Sequence, residues 1–218
     1  MCIRDRLDGI YETMLEKLKA QGGYLCNEEE KAALRNTLWD EELHLNTAIV
    51  AQPPEKIAQM AGLSIPEETK FFIVPEEGWG PEHPFSGEKL SVIMALYRAR
   101  DIDHAIELTQ NIQAYQGQGH SCGIYSSSDE NIMKLAENTY TSRVMVNQPQ
   151  AASNSGNVWN GMRQTFSLGC GSWGGNGTNN NISWRDLINE TWVSMPLAEN
   201  KVIPPDEELF GDVINQLG

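Results

Sequence analysis

The sequence predicts an α/β fold with a mainly parallel sheet flanked by helices. Between residues 71 and 146, short runs of β-branched and aromatic residues alternate with longer segments of helical periodicity. That order requires crossover connections, which make neighbouring strands parallel. The chain has 218 residues, of which 40% are hydrophobic, and this is enough to bury a substantial core.

Three helices are predicted before the alternating region. The first is expected over residues 7–21, where apolar residues recur at helical spacing until a glycine pair follows. The second runs from Asn27, a good N-cap, to about Leu38, with three glutamates in its first turn. The third covers residues 54–61, because proline suits the first helical position and glycine the end.

The alternating region itself predicts four strands and two helices. Asp101 and Ser128 are the residues expected to cap the helices, because their side chains accept hydrogen bonds from backbone amides of the first turn. The strands are predicted at residues 71–74, 91–97, 122–125 and 143–146, and the helices at 102–115 and 128–138.

Regularity then fails over residues 147–181, which are rich in Asn, Ser, Gly and Gln. Irregular segments of this length inside a domain usually carry function. Residues 165–168 are compatible with a short strand, and a helix or turn is expected near 184–188. Residues 191–195 read as an edge strand, and an acidic tail with a short final helix follows.

Charge and cysteine usage restrict the class of function. The chain has 16 basic and 30 acidic side chains and a formal charge of -14, which disfavours nucleic acid and anionic membranes as partners. The four cysteines show no C-x-x-C spacing, so neither a metal site nor a disulfide framework is expected. Without a signal peptide or a long apolar run, a cytoplasmic location is predicted, and three N-glycosylation sequons (Asn176, Asn181 and Asn189) are attributed to chance.

The segment GCGSWGG at residues 169–175 matches the dinucleotide-binding fingerprint G-x-G-x-x-G. That fingerprint needs a following helix whose amides hold the pyrophosphate. Residues 176–183 favour turns instead, so we reject the nucleotide-binding interpretation. The glycines predict a tight loop that passes close to another part of the chain.

Six segments, taken in order, resemble the aldehyde dehydrogenase superfamily and in particular its CoA-acylating branch. They are residues 19–24, 48–53, 87–91 with 95–99, 117–121, 141–147 and 168–176. The resemblance implies oxidation of a small aldehyde by NAD or NADP, with the acyl group passing from a cysteine thiolate to coenzyme A as co-substrate. It also implies a homo-oligomer joined through the strand at 191–195.

The same resemblance implies a domain organisation. Residues 1–6 are expected to be a non-native leader, 7–183 part of the catalytic domain, and 184–218 the oligomerisation strand with its acidic tail. The nucleophilic cysteine and the N-terminal NAD(P)-binding domain are expected upstream, so this chain alone should be inactive. Cys2 does not match the family motif, and Cys170 is interpreted as a loop cysteine.

Four candidate site residues follow from the resemblance. Glu88 corresponds to a glutamate that binds the nicotinamide ribose and Leu90 to an apolar residue near the nicotinamide. His120 is a candidate for proton transfer, and Arg163 for a sulfonate-bearing substrate, beside Trp159 and Met162 in the substrate funnel. Three of them have a plain alternative: Glu88 as an exposed glutamate at a strand entrance, His120 as a histidine satisfied at a strand entrance, and Arg163 as a rim arginine in a surface pair.

The substrate suggested by segments near residues 154–161 and 189–194 is sulfoacetaldehyde or acetaldehyde. Two other functions remain open at this stage. One is a non-acylating aldehyde dehydrogenase, and the other is a non-catalytic assembly module that keeps the fold. His44, His83 and His104 are expected to be surface residues without a role.

Overall fold

The computed structural model of this chain describes residues 3–167, 169–196 and 203–217. The chain divides into two compact units, residues 1–183 and 184–218. Every described helix is too short or too polar to span a membrane.

The first unit is built on a four-stranded parallel sheet. Its strands are β1 (Ile3–Leu7), β2 (Gly23–Leu25), β3 (Phe71–Pro75) and β4 (Ile93–Ala99), in the spatial order β1, β4, β3, β2. All three pairings are parallel, with Val74 of β3 opposite Ala95 of β4. The predicted α/β class with a parallel sheet is therefore confirmed.

Helices surround this sheet and continue to the end of the chain. In the first unit they are α1 (Asp8–Ala20), α2 (Glu28–Leu38), α3 (Pro54–Ala61), α4 (Ile102–Tyr115), α5 (Asp129–Glu137) and α6 (Gln150–Ser153). Short 3-10 helices cover Thr47–Ile49, Pro84–Ser86 and Ser172–Gly174. The second unit contains a 3-10 helix at Trp184–Leu187 and helix α7 (Asp206–Leu217), as the sequence predicts for both.

The core lies on both faces of the sheet because side chains alternate along a strand. Phe72 and Val74 of β3 pack in a large cluster with residues of α2, α3 and α4. Ile73, between them, points to the other face and packs with Tyr11 of α1. All three β3 residues are fully buried, so the strand fixes the positions of helices on each side.

Strands β5 (Cys122–Ile124) and β6 (Val144–Val146) form a separate two-stranded parallel sheet. The sequence placed both in one sheet with the preceding strands, and this part of the prediction is wrong. Helix α4 lies between the two sheets, since Ile112 packs in the large cluster whereas Ile106 packs with Cys122. Strands β5 and β6 therefore pair with each other and not with the larger sheet.

Two strands at the start of the chain were not predicted. The sequence predicts a leader over residues 1–6 and a helix from Leu7, but residues 3–7 pair with β4 along its open edge. Backbone pairing at such an edge carries little sequence information. Strand β2 follows directly on α1, where the glycine pair was interpreted only as a helix stop.

Two predicted strands are not observed. Residues 165–167 are irregular, and Leu168 lies outside the described residues. Residues 191–195 form no strand within this chain, and the side chains of Trp192, Val193 and Met195 are exposed by 89%, 80% and 77%. An oligomerisation strand takes its hydrogen bonds from a neighbouring sheet, so a single chain provides no partner that would define it.

The N-terminus of α2 offers a test of the local fold. Asn27 accepts a hydrogen bond from the Glu30 amide, and the Glu30 carboxylate accepts one from the Asn27 amide, both at 2.9 Å. Replacing Asn27 by Ala removes the side-chain cap, and we expect the free energy of unfolding to fall by about 1 kcal/mol. Asn27→Ser keeps a capping oxygen and is the control in urea titrations of the chain. Equal stability of the two variants would contradict the assignment.

Candidate functional site

Glu88 lies in a tight turn between the 3-10 helix Pro84–Ser86 and β4. Its carboxylate accepts hydrogen bonds from the amides of Lys89 at 2.9 Å and Leu90 at 3.0 Å. The Glu88 amide in turn donates to Oε1 of Gln116, which follows the end of α4, at 2.9 Å. The carboxylate is therefore held on its own turn, and the turn is held on α4.

Lys89 stabilises this turn through its buried side chain. No role is predicted for Lys89 from the sequence. Its side chain is only 1% exposed, and Nζ donates to the carbonyl oxygens of Phe85 and Gly87, both at 2.7 Å. No signal in the sequence marks it, because a lysine between a glutamate and an exposed leucine normally lies at the surface.

Leu90 follows in a left-handed conformation with φ of 44°, and its side chain is 59% exposed. A non-glycine residue in this region costs on the order of 1 kcal/mol or more. Such strain persists only where the surroundings fix the backbone. The turn is therefore rigid, with a carboxylate and an exposed apolar side chain next to each other.

The Glu88 carboxyl is ionised at neutral pH. Burial alone raises its pKa, but the amide hydrogen bonds from Leu90 and Lys89 are among the interactions that outweigh burial, and the net pKa is lowered. An ionised carboxylate accepts hydrogen bonds from two adjacent hydroxyl groups. This is the chemistry that binding of a ribose diol requires.

The glycine-rich loop at 169–175 packs against the turn that leads to His120. A Cβ atom on Gly119, where φ is 89°, would lie 1.9 Å from the carbonyl oxygen of Cys170. The Gly119 amide donates to the Tyr140 carbonyl at 2.8 Å, so its backbone is fixed on the opposite side. This is the close approach that the glycines predict. The loop contains a 3-10 helix at Ser172–Gly174, whereas nucleotide binding would need an α-helix.

Cys170 is part of this loop contact. Its Sγ donates to the Gly174 carbonyl oxygen at 3.1 Å and lies 3.4 Å from Oδ1 of Asn176. The other two described cysteines are buried: burial raises the pKa of Cys26 to about 12, and it also raises the pKa of Cys122. Both buried thiols are therefore neutral at neutral pH and poor nucleophiles. Cys2 lies outside the described residues.

His120 is exposed, in the turn before β5. Its neighbour Ser121 is fixed more strongly, since Oγ accepts hydrogen bonds from Nε2 of Gln150 at 2.8 Å and from Nδ2 of Asn154 at 3.0 Å. His120 lies only four positions after Gln116, which holds the Glu88 amide. The Glu88 turn and the His120 turn are therefore attached to the same end of α4.

Arg163 is exposed in the irregular segment after α6, where its carbonyl oxygen accepts a hydrogen bond from Nδ2 of Asn181 at 2.8 Å. Trp159 is 71% exposed, and Met162 is half-buried. These three side chains lie on the same segment, as the funnel prediction requires, but their proposed role in binding substrate stays a prediction.

Two residues that the sequence analysis did not select as site residues, Arg143 and Asn181, are buried among these loops. Each is only 6% exposed, and Nε of Arg143 donates to Oδ1 of Asn181 at 2.7 Å. Because the two lie 38 positions apart, no local pattern could reveal the pair.

One histidine expected at the surface has a buried partner instead. Nδ1 of His83 lies 2.7 Å from Oε1 of Glu76, whose side chain is almost fully buried and also contacts Nζ of Lys31 at 3.2 Å. No local pattern indicates this contact, because Glu76 follows a strand and resembles a solvated loop residue. His44, by contrast, is exposed beside Asp40 as predicted.

Comparison with known proteins shows which enzymes the chain is similar to. No protein-family model matches the chain. It is 37% identical over 214 residues to the acylating sulfoacetaldehyde dehydrogenase of Cupriavidus necator, covering 97% of this chain and 43% of that protein. It is 35% identical over 198 residues to the bifunctional aldehyde-alcohol dehydrogenase of Escherichia coli, covering 89% of this chain and 22% of the relative.

Solved structures agree. An acetylating aldehyde dehydrogenase of Geobacillus thermoglucosidasius superposes with a TM-score of 0.85 at 32% identity, covering 92% of this chain and 44% of that one. More distant structures, an engineered glycolyl-CoA reductase with bound NADP+ and a Rhodopseudomonas palustris propionaldehyde dehydrogenase with bound CoA, share the fold at 21% and 22% identity, each with a TM-score of 0.65.

In fold and sequence the chain is therefore similar, along nearly its whole length, to the acylating enzymes of the aldehyde dehydrogenase superfamily. The resemblance drawn from the six segments is confirmed. The chain spans less than half the length of these relatives.

The contact between the two loops predicts a large effect of a single methyl group. Gly119→Ala combines a left-handed backbone with a clash against the Cys170 carbonyl, and we expect a loss of about 3 kcal/mol or more of unfolding free energy. Gly62→Ala is the matched control, because φ is 67° there but no atom lies within 4 Å. It should cost only about 1 kcal/mol. Similar losses for both variants in thermal or urea unfolding would show that the loops are not in contact.

Proposed function

We propose that this chain forms part of the catalytic domain of a CoA-acylating aldehyde dehydrogenase, which converts a small aldehyde to an acyl-CoA. The observation that carries the proposal is similarity over almost the whole chain, in both sequence and backbone, to acylating enzymes. The rigid Glu88 turn adds support, because its chemistry suits the nicotinamide cofactor of such an enzyme.

The residues of the turn fit that cofactor. When bound, NAD or NADP accepts a hydride from the substrate, and coenzyme A takes the acyl group as a thioester. Glu88, ionised and fixed by two amides, would accept hydrogen bonds from the ribose hydroxyl groups. Leu90, beside it and 59% exposed, would offer apolar surface to the nicotinamide. His120, exposed and attached to the same end of α4, would give or receive a proton.

We assign the attacking thiol to a part of the whole enzyme outside this sequence. Cys26 and Cys122 are buried with raised pKa values, and the Cys170 thiol is engaged in its own loop. This chain would then supply the surroundings of the reaction: the cofactor turn, the proton carrier and the loops at the substrate entrance. The free state of the three described cysteines agrees with a reducing compartment such as the cytoplasm.

The substrate that we propose is sulfoacetaldehyde, with acetaldehyde as the alternative. The relative from Cupriavidus necator bears the name of a sulfoacetaldehyde dehydrogenase. The similarity to that relative covers 97% of the present chain. A sulfonate needs a local cation in a chain of net charge -14. The guanidinium of Arg163, exposed in the segment with Trp159 and Met162, would provide it.

We also propose that the enzyme is a homo-oligomer joined through residues 191–195. Trp192, Val193 and Met195 carry exposed apolar side chains that a neighbouring sheet would cover. A single chain leaves the backbone groups of this segment available for pairing with a partner's strand.

The complete gene, with any coding sequence that precedes Met1, provides the test of the activity. We expect NADH or NADPH formation with sulfoacetaldehyde to require coenzyme A, and the product to be a thioester, which mass spectrometry detects. A free carboxylate formed without coenzyme A would identify a non-acylating enzyme. Absence of turnover with both aldehydes and both cofactors would favour a non-catalytic assembly module.

Glu88 can be tested in the same enzyme. Glu88→Gln removes the charge that strengthens the hydrogen bonds to the ribose, so we expect the KM for the nicotinamide cofactor to rise about tenfold. The KM for the aldehyde should change little. Glu107→Gln, on the exposed side of α4, is the control for loss of a negative charge. A cofactor KM that is the same in both variants would remove Glu88 from the cofactor site.

A further inference from the structure

We infer that Arg143 and Asn181 form a buried clamp that positions the loops around His120 and the glycine-rich segment. Arg143 directly precedes β6, and Asn181 lies in the Asn-rich run after the glycine-rich loop. Both side chains are 94% buried, although polar side chains of these types normally lie at the surface.

The guanidinium of Arg143 binds the first residue of the glycine-rich loop and the Asn-rich run that follows this loop. Nε donates to Oδ1 of Asn181 at 2.7 Å, and Nη1 donates to the carbonyl oxygen of Gly169 at 3.2 Å. Nη2 reaches the Asn180 carbonyl oxygen at 3.5 Å. Both segments are thus bound to one planar cation, the guanidinium, whose N–H donors are fixed relative to each other.

The amide of Asn181 extends the clamp to the segment after α6. Nδ2 donates to the carbonyl oxygens of Asn154 at 3.2 Å and Arg163 at 2.8 Å. The Asn154 side chain donates onward to Oγ of Ser121, next to His120. A continuous series of hydrogen bonds therefore runs from β6 through the two irregular segments to the start of β5.

Energetics favour a positioning role over simple packing. Moving a guanidinium out of water is costly, and an apolar side chain of similar size would stabilise the chain at least as well. Burial accordingly lowers the pKa of Arg143. The polar pair adds directional interactions, because each N–H group forms its hydrogen bond only when the acceptor carbonyl oxygen lies at a defined distance and angle. Residues 147–181 contain little regular structure that could provide this order.

The clamp follows from these contacts alone, but its catalytic consequence rests on the proposed function. Arg143 and Asn181 touch neither Glu88 nor Leu90 in any contact described above. They position Arg163 and the turn of His120, where we place the aldehyde. A weakened clamp should therefore raise the KM for the aldehyde and leave the KM for NAD or NADP unchanged.

Hydrogen exchange of the chain, followed by mass spectrometry, tests the clamp directly. Asn181→Leu removes both sets of hydrogen bonds, and we expect exchange to accelerate about tenfold or more over residues 154–163 and 169–176. Exchange in β3 and β4 should stay as in the unmodified chain. Asn36→Leu, on the exposed face of α2, is the control for replacing an asparagine by leucine.

Asn181→Asp separates the two halves of the clamp and serves if the Leu variant does not fold. Aspartate still accepts from Arg143, but it cannot donate to the carbonyls of Asn154 and Arg163. Exchange should therefore increase over residues 154–163 and remain slow over 169–176. Exchange equal to that of the unmodified chain in both segments, for each variant that folds, would overturn the clamp.

Kinetics of the complete enzyme test the positioning role. In Asn181→Asp, a rise in the aldehyde KM with an unchanged cofactor KM supports it. A fall in kcat with both KM values unchanged, or equal increases in both KM values, would overturn it. If the unmodified enzyme shows no activity, the proposed function fails, whereas the exchange experiment still decides whether the clamp exists.

Discussion

Burial of β3 on both faces is the constraint on which the rest of the structure depends. Phe72 and Val74 require helices on one side of the sheet and Ile73 requires α1 on the other, because none of the three is reached by water. Parallel pairing with β4 requires a crossover after β3, which carries the Glu88 turn, and α4 then follows β4. The C-terminal end of α4 consequently meets the Glu88 turn through Gln116 and continues into the His120 turn.

The candidate site combines a rigid part and a clamped part. The Glu88 turn, residues 85–90, is rigid for three reasons. The buried side chain of Lys89 binds two of its carbonyl oxygens, Leu90 has a left-handed backbone, and backbone amides donate to the Glu88 carboxylate. The loops from residue 154 to 181 have no such local order and depend on Arg143 and Asn181. Under the proposed function, this division would keep the cofactor site rigid while the entrance adapts to a particular aldehyde.

In the proposed acylating aldehyde dehydrogenase, the Glu88 turn and the clamped loops would serve the same reaction. The similarity covers nearly the whole chain but less than half of the relatives. The exposed apolar side chains of Trp159, Phe166 and Trp192 are consistent with surfaces that other parts of such an enzyme, or a second subunit, would cover. Buried thiols with raised pKa values agree with a nucleophile supplied from elsewhere.

The sequence by itself determined the elements whose signals are local. Caps at Asn27, Asp101 and Ser128, the stop at Gly62, and periodicity located helices α1 to α5 to within a residue or two, whereas the short helix α6 was not predicted. Only the tertiary structure decided which strands share a sheet, that 165–167 is irregular, and that Lys89, Arg143 and Asn181 are buried. Strand pairing and burial of a charge depend on partners far along the chain. A polar side chain has the same local signature whether it faces water or a carbonyl oxygen contributed by a distant loop.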